Sequence, residues 1–334
     1  MKIKAKAMVS PEQWGACNPL SRTMLEDAGI QIIRNEQKRL LAEDEMKELI
    51  KGCDVAICGA EPMTAAVMDQ APNLKFIARC AVGLDSIDLN AARARDIGVS
   101  YVPGANADAV AELTMSHILT LIRGVPQADS LMRNGKWFRV LGRSLEELTV
   151  GIIGMGRIGR RTAKLLSAFG AKIIANDINP DESINSYLPI EWVSKTRLIK
   201  DADVICLHVP KTPQTINIID KKELEMMKNN SFLINTARGG LVNEDALIYA
   251  LTNNLIAGAG LDVYNEEPYY GGPLSKIENI IMSCHMGANT IISRARMEIQ
   301  AAECLIAYLD GEHIPRIVPD SEYKLQIAMK NIKS

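Results

Sequence analysis

The sequence predicts an α/β protein built of two doubly wound parallel-sheet domains, one of Rossmann type and one flavodoxin-like, with a cleft between them. Three observations carry that prediction. Short β-branched apolar runs alternate with helical patterns along almost the whole chain, which is the signature of βα units on a parallel sheet. A Pro103-Gly104 pair interrupts the alternation and is followed by a long apolar helix. A glycine triplet at Gly154, Gly156 and Gly159 then sits between a strand and a helix, with an acid about twenty residues further on.

In chain order, strands are expected at 5–9, 30–33, 55–58, 74–78 and 99–102, with helical stretches at 22–27, 43–50, 64–71 and 89–96 between them. After the Pro-Gly break comes a helix over 109–122, and the crossing between domains is placed there. The expected division is 1–104, completed by 290–334, for one domain and 105–289 for the other.

The stretch 149–179 organises the second domain. Val150, Ile152 and Ile153 form a buried strand that ends at Gly154. Gly154 permits a tight turn, Gly156 allows a pyrophosphate close to the backbone, and Gly159 lets the next helix pack on the strand. That helix runs through Ala163, Leu165, Leu166 and Phe169 to a cap at Gly170, and its free N–H groups favour phosphate. A second strand, 172–175, delivers Asp177, whose carboxylate suits ribose hydroxyls and repels a 2′-phosphate. The cofactor expected is therefore NAD; a loop that merely turns would carry the glycines without strand, helix and acid in register. Further strands are expected at 204–209, 232–235, 257–263 and 280–284, with helices at 221–228 and 244–252. A last helix, 293–309, stops at Gly311 and should fold back onto the N-terminal domain, because the sheet is complete by Cys284.

Composition excludes several classes. With 334 residues the chain suits about two domains, and a formal charge of −2 gives no footprint for nucleic acid or an anionic membrane. No apolar run reaches membrane length and MKIKAKAMVS has no signal-peptide core, so a cytoplasmic protein is expected. Seven cysteines without a C-x-x-C pair read as reduced thiols, Cys206 and Cys284 as packing residues, and no metal-binding spacing is present.

In an open parallel sheet, ligands bind beyond the carboxyl ends of the strands. Four polar residues stand at such ends after the glycine motif: Arg238, Asp262, Glu267 and His285. Exchange of hydride with a hydroxy acid needs a cation to hold the carboxylate and polarise the carbonyl, a histidine to trade a proton, and an acid to orient it. His208 also ends a strand, but no acid is placed to orient it, so it reads as a cofactor wall or structural residue. His117 lies in an apolar helix and reads as packed, His313 and Glu266 as solvated, and Trp137 as either a cleft cover or a surface anchor.

The motifs GAEPMT (59–64), NLKFIARCAVGLDSIDL (73–89), ANADAVAEL (105–113), GIIGMGRIG (151–159), HVPKTPQT (208–215), INTARGGLVNEDAL (234–247), LDVYNEEP (261–268) and HMGANT (285–290) run through nearly the whole chain. By them the sequence resembles the D-isomer-specific 2-hydroxyacid dehydrogenases, in their phosphoglycerate dehydrogenase-like branch. The resemblance implies catalysis by Arg238, Glu267 and His285. It implies NAD contacts at Gly154, Gly156, Arg157, Ile158, Gly159, Asp177, His208, Pro210, Thr215, Thr236, Ala237, Arg238, Asp262, His285, Gly287 and Ala288. Backbone amides of Val82 and Gly83 would receive the substrate carboxylate together with Arg238. A homodimer is likewise expected, through helix 109–122 and the segment 125–138. The other enzyme reading is a glyoxylate or hydroxypyruvate reductase, and a reading of another class is an NAD(H)-sensing corepressor resembling the C-terminal-binding proteins. Formate dehydrogenases place a glutamine where this chain has Glu267.

The chain also departs from the pattern. Cys284 replaces the proline usual before the histidine, and Cys58-Gly59-Ala60 replaces a stretch that commonly presents an arginine. The regulatory domain of longer members has no counterpart, so feedback through it is not expected. Overall resemblance favours 3-phosphoglycerate as substrate, yet a phosphate dianion needs cations to offset its desolvation. Arg79 is one candidate, with an interdomain salt bridge as its alternative role, and Arg139 or Arg143 of a dimer partner are others.

Overall fold

The computed structural model describes residues 3–333. The chain forms two compact units, one running up to Asn106 and resuming at Asn289, the other spanning Ala107–Ala288.

The first unit contains β1 (Ala5–Val9), α1 (Leu20–Asp27), β2 (Ile30–Arg34), α2 (Glu43–Leu49), β3 (Val55–Cys58), α3 (Ala65–Met68), β4 (Phe76–Arg79), α4 (Leu89–Arg93) and β5 (Gly98–Ser100). Its five strands are all parallel, in the order β2-β1-β3-β4-β5. Every residue of β3 and β4 is buried, as strands covered by helices on both faces require.

The second unit begins with α5 (Ala107–Ile122) and α6 (Val125–Arg133) and continues with β6 (Thr149–Ile153), α7 (Arg157–Ala168), β7 (Lys172–Asn176), β8 (Ile190–Trp192), α8 (Lys195–Asp201) and β9 (Val204–Leu207). It ends with α9 (Lys221–Met226), β10 (Phe232–Asn235), α10 (Glu244–Thr252), β11 (Gly258–Leu261) and β12 (Ile280–Met282). Seven parallel strands run in the order β12-β11-β10-β9-β6-β7-β8. Successive side chains of β9 point to opposite faces, so Ile205 and Leu207 enter one core and Val204 and Cys206 the other. The strand order reverses between β6 and β9, and the ends of those two strands, at Gly154 and His208, lie at the switch point.

Two further helices, α11 (Ile291–Asp310) and α12 (Asp320–Lys333), belong to the first unit. α11 packs on α1 and β4 and stops at Gly311 in the left-handed conformation. Its buried Glu298 accepts hydrogen bonds from the Gly15 N–H and the Ser21 hydroxyl.

Several expected bounds are corrected. The strands expected at 204–209, 257–263 and 280–284 end two residues early, at Leu207, Leu261 and Met282. Their last residues leave the ladder to build loops at the carboxyl edge. Cys284, expected to pack, is exposed in one of those loops. The short edge strand β8, the helix α8 and the polar helix α12 were not expected at all. α12 is held by side-chain chemistry: Gln326 accepts from the Leu89 N–H at 2.8 Å and donates to the Ile87 carbonyl at 2.6 Å, while the Arg93 guanidinium lies 3.6 Å above the Tyr323 ring. Among the described residues no helix is long and apolar enough to cross a membrane, and no cluster of His, Cys, Asp and Glu is arranged to hold a metal.

Candidate active site

The glycine turn after β6 is shaped by packing. Gly154 has φ +99°, and a Cβ there would come 2.7 Å from the His208 carbonyl carbon. A Cβ on Gly159 would come 2.1 Å from the Gly154 oxygen, so only glycine lets α7 start so close to the strand. Gly156 differs, because a Cβ there meets nothing within 4 Å. The turn is thus closed beneath and open above Gly156, at the N-terminus of α7, where a pyrophosphate needs bare backbone and unpaired N–H groups. Arg157 is exposed and Ile158 half-buried beside it. Beyond β7, Asp177 accepts from the Met155 N–H at 2.7 Å and, through its other oxygen, from the Asn179 N–H at 2.9 Å. The acid is therefore fixed against the glycine turn, and these residues fit NAD.

His208 does not have the surroundings of an acid–base group. Its Nε2 lies 3.1 Å from Thr162 Oγ1 and its Nδ1 is enclosed without a partner. Although the residue as a whole is half-buried, desolvation of the ring pushes its pKa down to about 4, so it stays neutral near pH 7. The loop after it is closed by Thr215, whose hydroxyl donates to the exposed Pro210's carbonyl and accepts from the Thr212 N–H, both at 2.7 Å.

The remaining candidates stand beyond β10, β11 and β12. Asn235 shapes the first turn: its Oδ1 accepts from the Ala237 N–H at 3.1 Å and its Nδ2 donates to the Arg238 carbonyl at 2.8 Å. Thr236 and Ala237 are buried and Arg238 is half-buried, with Nη1 donating to the Ala237 carbonyl at 2.7 Å. The following Gly239 presses so closely on the Tyr264 loop that a Cβ would stand 1.7 Å from the Tyr264 oxygen.

Asp262 is 1 % exposed and organises the last turn. Its carbonyl accepts from the His285 N–H at 2.7 Å. Its Oδ1 accepts from the Ser283 hydroxyl at 2.6 Å and the Met286 N–H at 2.9 Å, and its Oδ2 from the Gly287 N–H at 2.8 Å. Four bonds on one buried residue hold His285 at φ +51°, a conformation uncommon outside glycine. Ala288, next in the chain, is half-buried.

That turn delivers His285 Nδ1 to 2.5 Å from Glu267 Oε2. Glu267 is fixed in turn, its Oε1 accepting from the Tyr264 N–H at 2.9 Å. Burial opposes ionisation of Glu267, but the hydrogen bond and charge of His285, the Tyr264 N–H and the Arg238 charge together lower its pKa. An ionised acid on Nδ1 orients the ring and leaves Nε2 as the atom that can exchange a proton with a ligand. Glu266 is exposed beside it.

Residues 115–287 match the model of the D-isomer specific 2-hydroxyacid dehydrogenase, NAD binding domain. A glyoxylate reductase of Thermofilum pendens is 37 % identical over 313 residues, covering 91 % of this chain and 92 % of that protein. The chain belongs to the D-isomer specific 2-hydroxyacid dehydrogenase family. A D-3-phosphoglycerate dehydrogenase of Methanocaldococcus jannaschii is 38 % identical over 83 % of this chain, which spans 54 % of that longer protein. Among solved structures, D-lactate dehydrogenase with NAD+ from Lactobacillus jensenii superposes with a TM-score of 0.77 at 27 % identity, covering 94 % of this chain and 99 % of that one. The chain is thus an NAD-dependent D-2-hydroxyacid dehydrogenase.

In the first unit of this dehydrogenase, Val82 and Gly83 are half-exposed in the loop after β4. Arg79 is spent on that loop: its Nε donates to the Gly83 carbonyl and its Nη1 to the Ser86 hydroxyl, both at 2.9 Å, and it is 5 % exposed. Arg143, a candidate to act from a dimer partner, is held in its own unit, 3.3 Å from Asp203 and 3.5 Å from Glu147. Arg139 is exposed. His117 is buried, as expected, and His313 exposed. Two contributors to the site, Tyr264 and Ser283, were missed. Tyr264 holds Glu267 through its N–H and donates its hydroxyl to the Ser283 carbonyl at 2.8 Å. Nothing in the spacing singles them out, since a tyrosine and a serine beside apolar strands read as packing and loop.

Proposed function

We propose that the enzyme interconverts a small unphosphorylated 2-keto acid, glyoxylate or hydroxypyruvate, and its 2-hydroxy acid. The observation that carries the reaction is the 2.5 Å contact between His285 and an ionised Glu267. NADH, when bound on the glycine turn and Asp177, supplies the hydride to C2 of the keto acid. The guanidinium of Arg238 pairs with the substrate carboxylate and draws electron density toward the carbonyl oxygen. His285 delivers the proton from Nε2 to that oxygen as C2 becomes tetrahedral, and Glu267 supports the imidazolium before transfer. From the first unit, the family resemblance assigns the N–H groups of Val82 and Gly83 to the substrate carboxylate. In the reverse direction His285 takes the hydroxyl proton.

The engagement of Arg79 with Gly83 and Ser86 supports an unphosphorylated substrate, because a phosphate would have to draw that buried guanidinium away from both. Similarity to the Methanocaldococcus jannaschii enzyme supports a second reading, 3-phosphoglycerate. The comparison that decides is kcat/KM for glyoxylate, hydroxypyruvate and 3-phosphohydroxypyruvate with NADH. The first reading expects the phosphorylated acid to be the poorest by about tenfold or more, or about 1.4 kcal/mol; a preference for it would establish the second reading.

We further propose a homodimer formed through the second unit. Val125, Met132, Trp137, Phe138 and Leu141 are exposed on α6 and the segment after it, Trp137 at 82 % and Leu141 at 98 %. Burying side chains of this size stabilises an interface by roughly 1.5–3 kcal/mol each. Light scattering at micromolar concentration should report a dimer, and a monomer would refute the proposal.

A further inference from the structure

The Arg238 turn and the His285 turn follow different strands, yet both rest on one helix. α5 carries Val110, Thr114 and His117 at spacings of four and three residues, so the three share a face. Each touches one turn of the candidate site. A Cβ on Gly287 would come 3.2 Å from Val110 Cγ2. Thr114 Oγ1 lies 2.8 Å from Thr236 Oγ1, two residues before Arg238. His117 Nε2 lies 3.2 Å from Ser283 Oγ, two residues before His285.

The directions of these bonds follow from counting protons. Thr114 gives its only hydroxyl proton to the Val110 carbonyl at 2.8 Å, so Thr236 is the donor between the two threonines. Ser283 gives its hydroxyl proton to Asp262 Oδ1 at 2.6 Å, so it accepts from His117 through an Nε2–H. The other ring nitrogen of His117 is enclosed without a partner, and a Cβ on the neighbouring Gly260 would come 3.0 Å from it. A second proton on the ring would find no acceptor there. Burial accordingly lowers the His117 pKa, against the pull of Asp262. The ring is a neutral donor of fixed orientation, and α5 packs on β10 and β11, from which the Arg238 and Asp262 segments emerge.

We propose that Thr114 and His117 are positioning residues, which from one face of α5 set the Arg238 turn and the His285 turn in register with each other. The inference rests on the reading that Arg238 and His285 act on the same substrate. Each acts through the hydroxyl of a residue two positions before a reacting one, Thr236 before Arg238 and Ser283 before His285. Displacing one turn by a fraction of an ångström misaligns carboxylate grip and proton transfer while leaving the glycine turn intact. Loss should therefore fall on kcat, with the glycine turn and the fold kept.

The test measures kcat, KM and Tm in T114V, H117L and S283A, using whichever of glyoxylate and hydroxypyruvate the wild type turns over faster. Each single change should lower kcat on the order of tenfold or more, with Tm close to that of the wild type. Because H117L and S283A cut the same bond, the double variant should be no slower than the slower single, whereas T114V combined with S283A should lose further activity. H117Q, which places an amide N–H where Nε2–H stood, should recover most of the kcat lost in H117L. If H117L does not fold, S283A tests the same bond from the turn. Wild-type kcat in T114V and S283A, in an enzyme that H285A inactivates, would overturn the positioning role and leave the acid–base reading standing. Wild-type kcat in H285A would instead remove the reading on which it rests.

Discussion

Arg79 and Arg238 both stand at the carboxyl edge of a parallel sheet, the first closing β4 and the second just beyond β10, and the two are used in opposite ways. Arg79 is almost wholly buried and spends its guanidinium on a carbonyl and a hydroxyl of the loop that follows it. Arg238 is half-buried; its backbone carbonyl is held by Asn235, and its charge reaches the Glu267 carboxylate. A strand end offers a position, and the loop decides whether a side chain placed there builds backbone or meets a ligand. The first unit therefore presents the amides of Val82 and Gly83 on a loop braced by arginine. The second presents side chains whose backbones are braced by Asn235 and Asp262.

The largest effect that could break this contrast lies at His285. His285→Ala removes the proton carrier and should lower kcat by about three orders of magnitude or more with NADH affinity kept, measured by steady-state kinetics and fluorescence titration. Retained turnover would leave the second unit without its acid–base residue.

Replacing each arginine by lysine sharpens the comparison. Arg238→Lys loses the planar fork and should raise KM and lower kcat together, on the order of a hundredfold in kcat/KM, with Tm little changed. Arg79→Lys cannot hold both Gly83 and Ser86 and should lower Tm by several degrees, with the kinetic loss chiefly in KM for the keto acid. Exchange of these two outcomes would show that the assignments of bracing and chemistry are reversed.

A smaller effect is expected at Asp177, which follows β7, separated from β10 by β9 and β6 in the second unit's sheet. The enzyme should prefer NAD to NADP by at least about tenfold in kcat/KM, and Asp177→Ala should narrow that gap. Asp177 also holds the Met155 N–H, so some loss of NAD efficiency should accompany the change. Equal efficiency with both cofactors in the wild type would contradict the role given to this acid.

What could be read in advance follows from chemistry that sits in one stretch of chain. The glycine turn, the strand before it and Asp177 lie within thirty residues, and Gly154 and Gly159 stand where a Cβ would collide with backbone. Glu267 and His285 were legible as an acid and a histidine at neighbouring strand ends. Contacts between segments far apart in sequence were not legible. Gln326 of α12 bonds the loop at 87–89, a three-residue edge strand shows no periodicity, and Thr114 and His117 look like interruptions of an apolar helix until Thr236 and Ser283 are seen beside them. The same holds for Arg79, whose partners four and seven residues on turn a candidate ligand into a brace.

The pairing of Glu267 with His285 is central to the proposed mechanism, and the pH dependence of kcat in Glu267→Gln tests it. The lowered pKa of Glu267 means that its share of stability is present above the ordinary carboxylate range and is lost only as pH falls through that lowered value, so the carboxylate is charged throughout the neutral range. Keto-acid reduction needs a protonated imidazole, which that charge supports. With the charge removed, kcat for keto-acid reduction should fall and its pH profile should depart from that of the wild type, in a protein whose Tm near neutral pH is little altered. A profile that superposes on the wild type would contradict the pairing as the source of acid–base catalysis.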